Sequence, residues 1–251
     1  PMYRASQVCT CNEGDTTCRL RFYPDLKYRL LLGAAGTGKN GSLVSGDSYA
    51  FFHLKDGRFA LVLSDGMGDG PQADVESSAT ISLLRRLLES GFDQDLAIKT
   101  VNSILAMRSP GESFATVDLA VVNLNNGQAN FIKTGAVPSF IVRDGQVSRI
   151  ETCSLPAGII EDIEVTTLTR DMAPGDILVM ITDGILDVYQ RSGEREEWLE
   201  EILMDVTEMP PREMAELISK LAQTGAGGAT RIPDDMTVIV ARLEKQRKQT
   251  C

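Results

Sequence analysis

Three dipeptides do most to limit how this chain can fold: Asp56-Gly57, Asn126-Gly127 and Asp144-Gly145, each set between two short apolar runs. Asn-Gly and Asp-Gly tolerate the positive φ that tight primed turns require, so each is a hairpin signal, and hairpins pair strands antiparallel. The expected pairs are 49–54 with 58–63, 117–124 with 128–134, and 139–142 with 147–150. Helical period is confined to two blocks. In 71–89, Val75, Ala79, Leu83 and Leu87 share one predicted face, with Ile81, Leu84 and Leu88 beside it, and a second helix at 94–107 follows Gly91. The block 194–224 holds two more helices divided at Pro210-Pro211, and 236–242 is the last strand. Strands in hairpins and helices bunched in two blocks predict an α+β fold with antiparallel sheets, not a doubly wound parallel one.

The chain has 251 residues, 43% apolar and 24% charged, enough to fill the core of one large domain. A net charge of −10 repels nucleic acid and anionic lipid, so no nucleic acid partner is expected. No apolar run is long enough to cross a bilayer and no signal-peptide pattern is visible. Beginning at Pro1, the chain reads as a fragment of something longer, in which a membrane anchor could lie. Residues 1–26 are polar and aperiodic and read as a tail or linker, 27–243 as one domain, and 244–251 as a C-terminal tail. Five cysteines, an odd number with Cys153 and Cys251 isolated, point to a reducing compartment. Cys9, Cys11 and Cys18 could supply three zinc ligands, but the single histidine, His53, lies far off in a predicted strand. Ordinary thiols in a loose segment are the expectation.

Two familiar loops are suggested and then fail. Gly33-Ala-Ala-Gly-Thr-Gly-Lys39-Asn40 has the glycine and lysine spacing of a phosphate-binding loop. Such a loop must lead directly into a helix and end in Ser or Thr to hold magnesium. Asn40 stands at that last position, and Gly41 with Gly46 opposes a helix. A flexible connection is expected instead, with Lys39 dispensable. Asp65-Gly-Met-Gly-Asp69-Gly70 with Glu76 mimics a calcium-binding EF loop, yet the apolar run before it reads as a strand where that motif needs a helix.

Aspartates ending apolar strands carry more information. The run 60–64 leads into Asp65-Gly66, and 177–182 leads into Asp183-Gly184. Asp47 and the pair Asp234-Asp235 also border predicted strands. A strand ending in Asp fixes a carboxylate at a sheet edge, and the glycine behind it lets a ligand approach. One Asp-Gly is ordinarily a turn; two after long strands, with two more acidic borders, point to a cluster. Like charges 4 Å apart cost on the order of 4 kcal/mol each at an effective dielectric near 20, so a cluster either protonates or binds cations. All-oxygen donors select magnesium or manganese over zinc.

These motifs, Ser45-Gly-Asp-Ser-Tyr49, Ser64-Asp-Gly-Met-Gly-Asp-Gly70, Thr182-Asp-Gly-Ile185 and Asp234-Asp-Met-Thr237, stand in the order found in PPM-type metal-dependent protein phosphatases. Gly135-Ala-Val-Pro-Ser-Phe140 and Leu155-Pro-Ala-Gly158 fit the bacterial branch, and the Asp-Gly-Met-Gly-x-Gly form looks most like its stage II sporulation protein E group. The resemblance spans about 28–243. Met67 stands where eukaryotic relatives often carry a histidine, so a histidine general acid is absent there, and His53 is expected to be structural.

The resemblance implies two antiparallel β-sheets packed as a sandwich and flanked by helices, with the metal centre at one end. It implies two divalent ions, Mn2+ or Mg2+. Asp65 would bridge them, aided by the Gly66 carbonyl; Asp47 would serve one ion, and Asp183 with Asp234 the other. Asp235 would be a further ligand or lie just behind them. Metal-activated water would then be the nucleophile, consistent with Cys153 lacking a Cys-x5-Arg loop. The implied substrate is a phosphoserine on an anti-sigma factor antagonist in sporulation. The resemblance also implies a cytoplasmic domain of a membrane-anchored protein, contact with a cell-division protein through an upstream region, and room for a homodimer. A non-catalytic binding domain of the same fold is the alternative from another class, and a nucleotide hydrolase a weak third.

Overall fold

The computed structural model of the chain describes residues 3–7, 20–68, 70–108, 114–188, 196–228 and 232–246. Strands β1 (Tyr3–Gln7) and β2 (Leu20–Pro24) form a separate two-stranded antiparallel sheet inside the segment read as a tail. Alternation there runs for only five residues a strand, too short to register as period in a polar stretch. Cys9, Cys11, Cys18 and Cys251 lie outside the described residues.

Ten further strands make two five-stranded antiparallel sheets. The first contains β4 (Asp47–His53), β5 (Arg58–Asp65), β6 (Val117–Asn123), β7 (Gln128–Thr134) and β10 (Thr167–Asp171), in the order β10-β7-β6-β5-β4. The second contains β3 (Tyr28–Thr37), β8 (Ser139–Arg143), β9 (Gln146–Ile150), β11 (Ile177–Ile181) and β12 (Met236–Lys245), in the order β3-β12-β11-β8-β9. The three predicted hairpins are present. At Asp56-Gly57 and Asp144-Gly145 both residues have positive φ, as expected; at Asn126-Gly127 only Gly127 does. That connection is a longer turn, in which the Gly127 N–H donates to the Asn123 carbonyl at 2.8 Å.

The strand pleat builds three cores. Leu61 and Leu63 of β5 and Phe131 of β7 point inward against Leu178 and Met180 of β11 and Ile239 of β12, which joins the sheets into a sandwich. Ala60 and Val62 point outward against α1 (Gly70–Ser90) and α2 (Gln94–Arg108). On the far side, Val179 and Val240 pack against α4 (Glu197–Asp205) and α5 (Pro211–Gly225), with the short α3 (Asp183–Leu186) at the sheet edge. The central strands are thus buried on both faces and read as continuous apolar runs. The result is a four-layer α+β sandwich.

Two local expectations need correction. The buried residues of α1 are Ala73, Glu76, Ser77, Thr80, Ile81, Leu84 and Leu88, whereas Val75 is exposed. Small Ala and Ser let the helix lie close to β4 and β5, an advantage that counting large apolar residues overlooks. The glycine-rich Gly33–Thr37 is also not a flexible connection: it is the second half of β3, paired along its length with β12. Gly33 is required because a Cβ there would meet the Pro211 backbone at 2.3 Å, so α5 rests directly on the strand.

Candidate metal centre

The antiparallel register assembles the acidic residues at one end of the sandwich. Asp47 at the start of β4 faces Asp65 at the end of β5. In the other sheet, Asp183 follows β11 and Asp234-Asp235 precedes β12, its antiparallel neighbour. Each sheet therefore delivers part of the set. A hydroxyl joins the parts: Thr182 Oγ1 donates to Asp47 Oδ2 at 2.8 Å and accepts the Thr237 N–H at 2.9 Å. On β5, the Asp65 N–H donates to Thr116 Oγ1 at 2.9 Å, holding the strand end beside the loop before β6.

Close backbone approaches explain the glycines. A Cβ on Gly66 would lie 2.1 Å from the Ala73 carbonyl oxygen of α1, and one on Gly184 would lie 2.1 Å from that of Asp235. The Gly66 N–H donates to the Gly46 carbonyl at 3.1 Å, tying the two strand ends together. Lys39, Asp65, Gly66, Met67, Gly68, Phe114, Thr116, Asp183 and Asp234 line a cavity of about 420 Å³. Among these described residues there is no Ser, Cys or His.

The electrostatics are those of crowded carboxylates. Burial, then the charges of Asp47, Asp183, Asp234 and Asp235, push the Asp65 carboxyl up to about 8. Burial pushes Asp47 up to about 7 against the opposing hydrogen bond from Thr182. Asp183 and Asp234 are also raised, by burial first and then by neighbouring acids, while the Lys39 charge pulls Asp234 back down. Asp47 Oδ1 and Asp183 Oδ1 are buried without a hydrogen-bond partner. Among the described residues no three acids close tightly enough to enclose an ion as they stand. Orphaned carboxylate oxygens, raised protonation and an all-oxygen donor set fit a hard divalent ion.

The adjacent acids Asp234 and Asp235, inseparable in sequence, part here. Asp235 is buried, and both its oxygens accept backbone N–H groups, Oδ1 from Lys39 at 2.8 Å and Oδ2 from Gly46 at 2.7 Å. It clamps the two ends of the loop between β3 and β4. Asp234 instead lines the cavity with Asp65 and Asp183. Lys39, expected to be dispensable, stands on the cavity wall. Its loop leads into a three-residue 3-10 turn with Asn40 at φ 53°, not into a helix, so the nucleotide-loop reading has no structural basis. His53 sits exposed on β4, edge-on to Phe59 with ring centroids 4.8 Å apart, away from the acids. Thr182 and Thr237 stand in the quoted motifs without an assigned role, and Thr116 stands in none, since a lone Thr at a strand end carries no signal.

The sequence model of the stage II sporulation protein E (SpoIIE) family matches residues 55–244. Stage II sporulation protein E of Bacillus subtilis is 39% identical over 218 residues, which cover 86% of this chain but only 26% of that relative. A solved structure of the PP2C phosphatase domain and a regulatory-domain fragment of B. subtilis SpoIIE superposes with a TM-score of 0.85. It is 35% identical and covers 98% of this chain and 70% of that one. The catalytic domain of the serine/threonine phosphatase PstP, solved with two manganese ions, shares the fold at 21% identity and a TM-score of 0.66, covering 87% of this chain and all of that one. With a family model matched over most of the chain and a superposition at a TM-score of 0.85, the chain belongs to the SpoIIE family and has the PP2C phosphatase fold.

Proposed function

We propose that the domain at 27–243 is a metal-dependent protein serine phosphatase. The observation that carries this reading is Asp65 from one sheet and Asp183 with Asp234 from the other on one cavity wall, with Asp47 in register beside Asp65 and buried oxygens of Asp47 and Asp183 left without a hydrogen bond. Asp47, Asp65, Asp183 and Asp234, with the Gly66 carbonyl, would hold two divalent ions, manganese or magnesium. When bound, such ions supply an acidified water and neutralise phosphate charge. Thr182 orients Asp47, Asp235 keeps the loop carrying Lys39 in place, and the Lys39 charge attracts the phosphate. Among the described lining residues there is no Ser, Cys or His, Thr116 Oγ1 already accepts the Asp65 N–H, and the aspartates are assigned to the ions, which leaves water as the nucleophile in this reading.

The substrate we propose is a phosphoserine of an anti-sigma factor antagonist acting in sporulation, supported by membership of the SpoIIE family. The chain spans about a quarter of the curated B. subtilis relative, so activity, partners and location of the whole protein belong to this proposal. We propose a cytoplasmic phosphatase domain of a membrane-anchored protein. Among the described residues, no helix is long and apolar enough to cross a membrane. The deciding experiment is hydrolysis of p-nitrophenyl phosphate with manganese and with chelator. Manganese-dependent turnover is expected; its absence in a folded, manganese-loaded sample would turn the reading toward a non-catalytic binding domain.

A further inference from the structure

The loop between β3 and β4 carries the most exposed large apolar side chain among the described residues, Leu43, with Val44 also exposed beside it. On a loose loop such exposure would mean little, but this loop is braced. The Gly41 N–H donates to the Gly38 carbonyl at 2.9 Å, the Ser42 N–H to the Lys39 carbonyl at 3.0 Å, and the Val44 N–H to Ser42 Oγ at 3.1 Å. Both stems hang on Asp235. Covering Leu43 thus needs ordering of its side chain but little of its backbone, and a pre-ordered backbone lets more of an apolar contact appear as binding. Its position is also specific: Lys39, at the base of the same loop, lines the cavity with Asp65 and Asp234, and Met67 on that cavity wall is exposed too.

We propose that Leu43 and Val44 form a docking surface for the polypeptide bearing the phosphoserine, and that they select an apolar side chain flanking it. Charge complementarity decides the occupant. The phosphate is drawn to Lys39 and the cation-binding centre, but the chain as a whole carries −10 and repels acidic flanks. A segment that is anionic only at its phosphate and apolar beside it satisfies both. This proposal rests on the phosphatase reading for the identity of the charged group.

The test uses two phosphoserine peptides of equal length and charge, with Leu or with Asn flanking the phosphoserine, and p-nitrophenyl phosphate, which has no flanking side chain to offer Leu43. In manganese, the chain is expected to favour the Leu peptide in kcat/KM by about tenfold or more, the worth of one buried apolar side chain. Leu43→Asp should abolish that preference, and Leu43→Ala reduce it, with p-nitrophenyl phosphate turnover unchanged. No preference in the parent chain, or an unaltered one in Leu43→Asp, overturns the proposal. So does an equal loss on all three substrates, which would make the loop part of the metal centre, or a change of oligomeric state with the preference intact, which would make Leu43 a contact between copies. If the parent chain hydrolyses nothing, the phosphatase reading fails separately. Docking is then decided by calorimetry: weaker binding of the Leu peptide to Leu43→Asp supports it, and equal binding overturns it.

Discussion

Asp65, half-buried on the cavity wall, and Asp235, fully buried behind it, stand at one end of the sandwich, and their substitution by Asn should have different consequences. Asp65 feels the charge of all four neighbouring aspartates, so Asp65→Asn removes the central negative charge without changing volume. Manganese-dependent hydrolysis should fall by more than about 100-fold, beyond the 10–100-fold typical of an outer-sphere partner, with circular dichroism unchanged; retention of a few per cent of activity would remove Asp65 from the centre. Asp235→Asn keeps one acceptor and loses the other, so one loop stem comes free of its clamp. Here a loss of only roughly 10–100-fold is expected, together with a higher manganese concentration for half-maximal rate. Lys39→Ala is informative for another reason: the loop looked dispensable in sequence, yet its cation sits on the cavity wall. Its removal should raise KM for p-nitrophenyl phosphate roughly tenfold, the order of one hydrogen bond to a charged group. An unchanged KM would return Lys39 to the role of a bystander.

Elements carry the same chemistry through packing. Gly66 leaves no room for a methyl group, because the Ala73 carbonyl of α1 occupies that space. Gly66→Ala must push the helix start off the strand end, and overpacking of this kind costs about 1–3 kcal/mol. A lowered melting temperature should accompany lost activity; a variant active and as stable as the parent would show that α1 is free to move. This close approach also explains what sequence could and could not disclose. Hairpins were legible because Asp-Gly and Asn-Gly have a conformational cause, and the acids were legible because long apolar strands point at them. The side of α1 that is buried was not, since Ala73 and Ser77 are chosen for closeness and not for hydrophobicity. Edge strand β10, with mostly exposed polar residues, had no pattern to read. The buried ion pair of Lys133 and Asp118, 2.5 Å apart with the Ser139 hydroxyl of the opposite sheet bonded to both, faces across the predicted β6–β7 hairpin, but strand pairing alone does not tell that this face is buried.

At the scale of the whole molecule, the centre sets the pH dependence of stability. The Asp65 carboxyl titrates near 8 and Asp47 near 7 when folded, against an ordinary value near 3.8. Both hold their proton more tightly in the folded chain, so their contribution is complete below about pH 4 and is lost as pH rises through about 8. The metal-free protein should therefore lose melting temperature between pH 5 and 8.5, less steeply in Asp65→Asn. Manganese, which binds the ionised form, should raise the melting temperature more at pH 8 than at pH 5.5. A manganese effect equal at both values would contradict the assigned acids. One hydrogen bond described above has a further bearing. The Thr182 hydroxyl meets Asp47 across 135 residues of chain and from the opposite sheet. Contacts so distant in sequence form only after the intervening loop has been closed, and they close slowly. The acidic centre is consequently a product of sheet docking and of neither sheet alone: a chain whose strands are paired but whose sheets are not yet packed face to face lacks the Thr182–Asp47 contact and holds its two groups of aspartates apart.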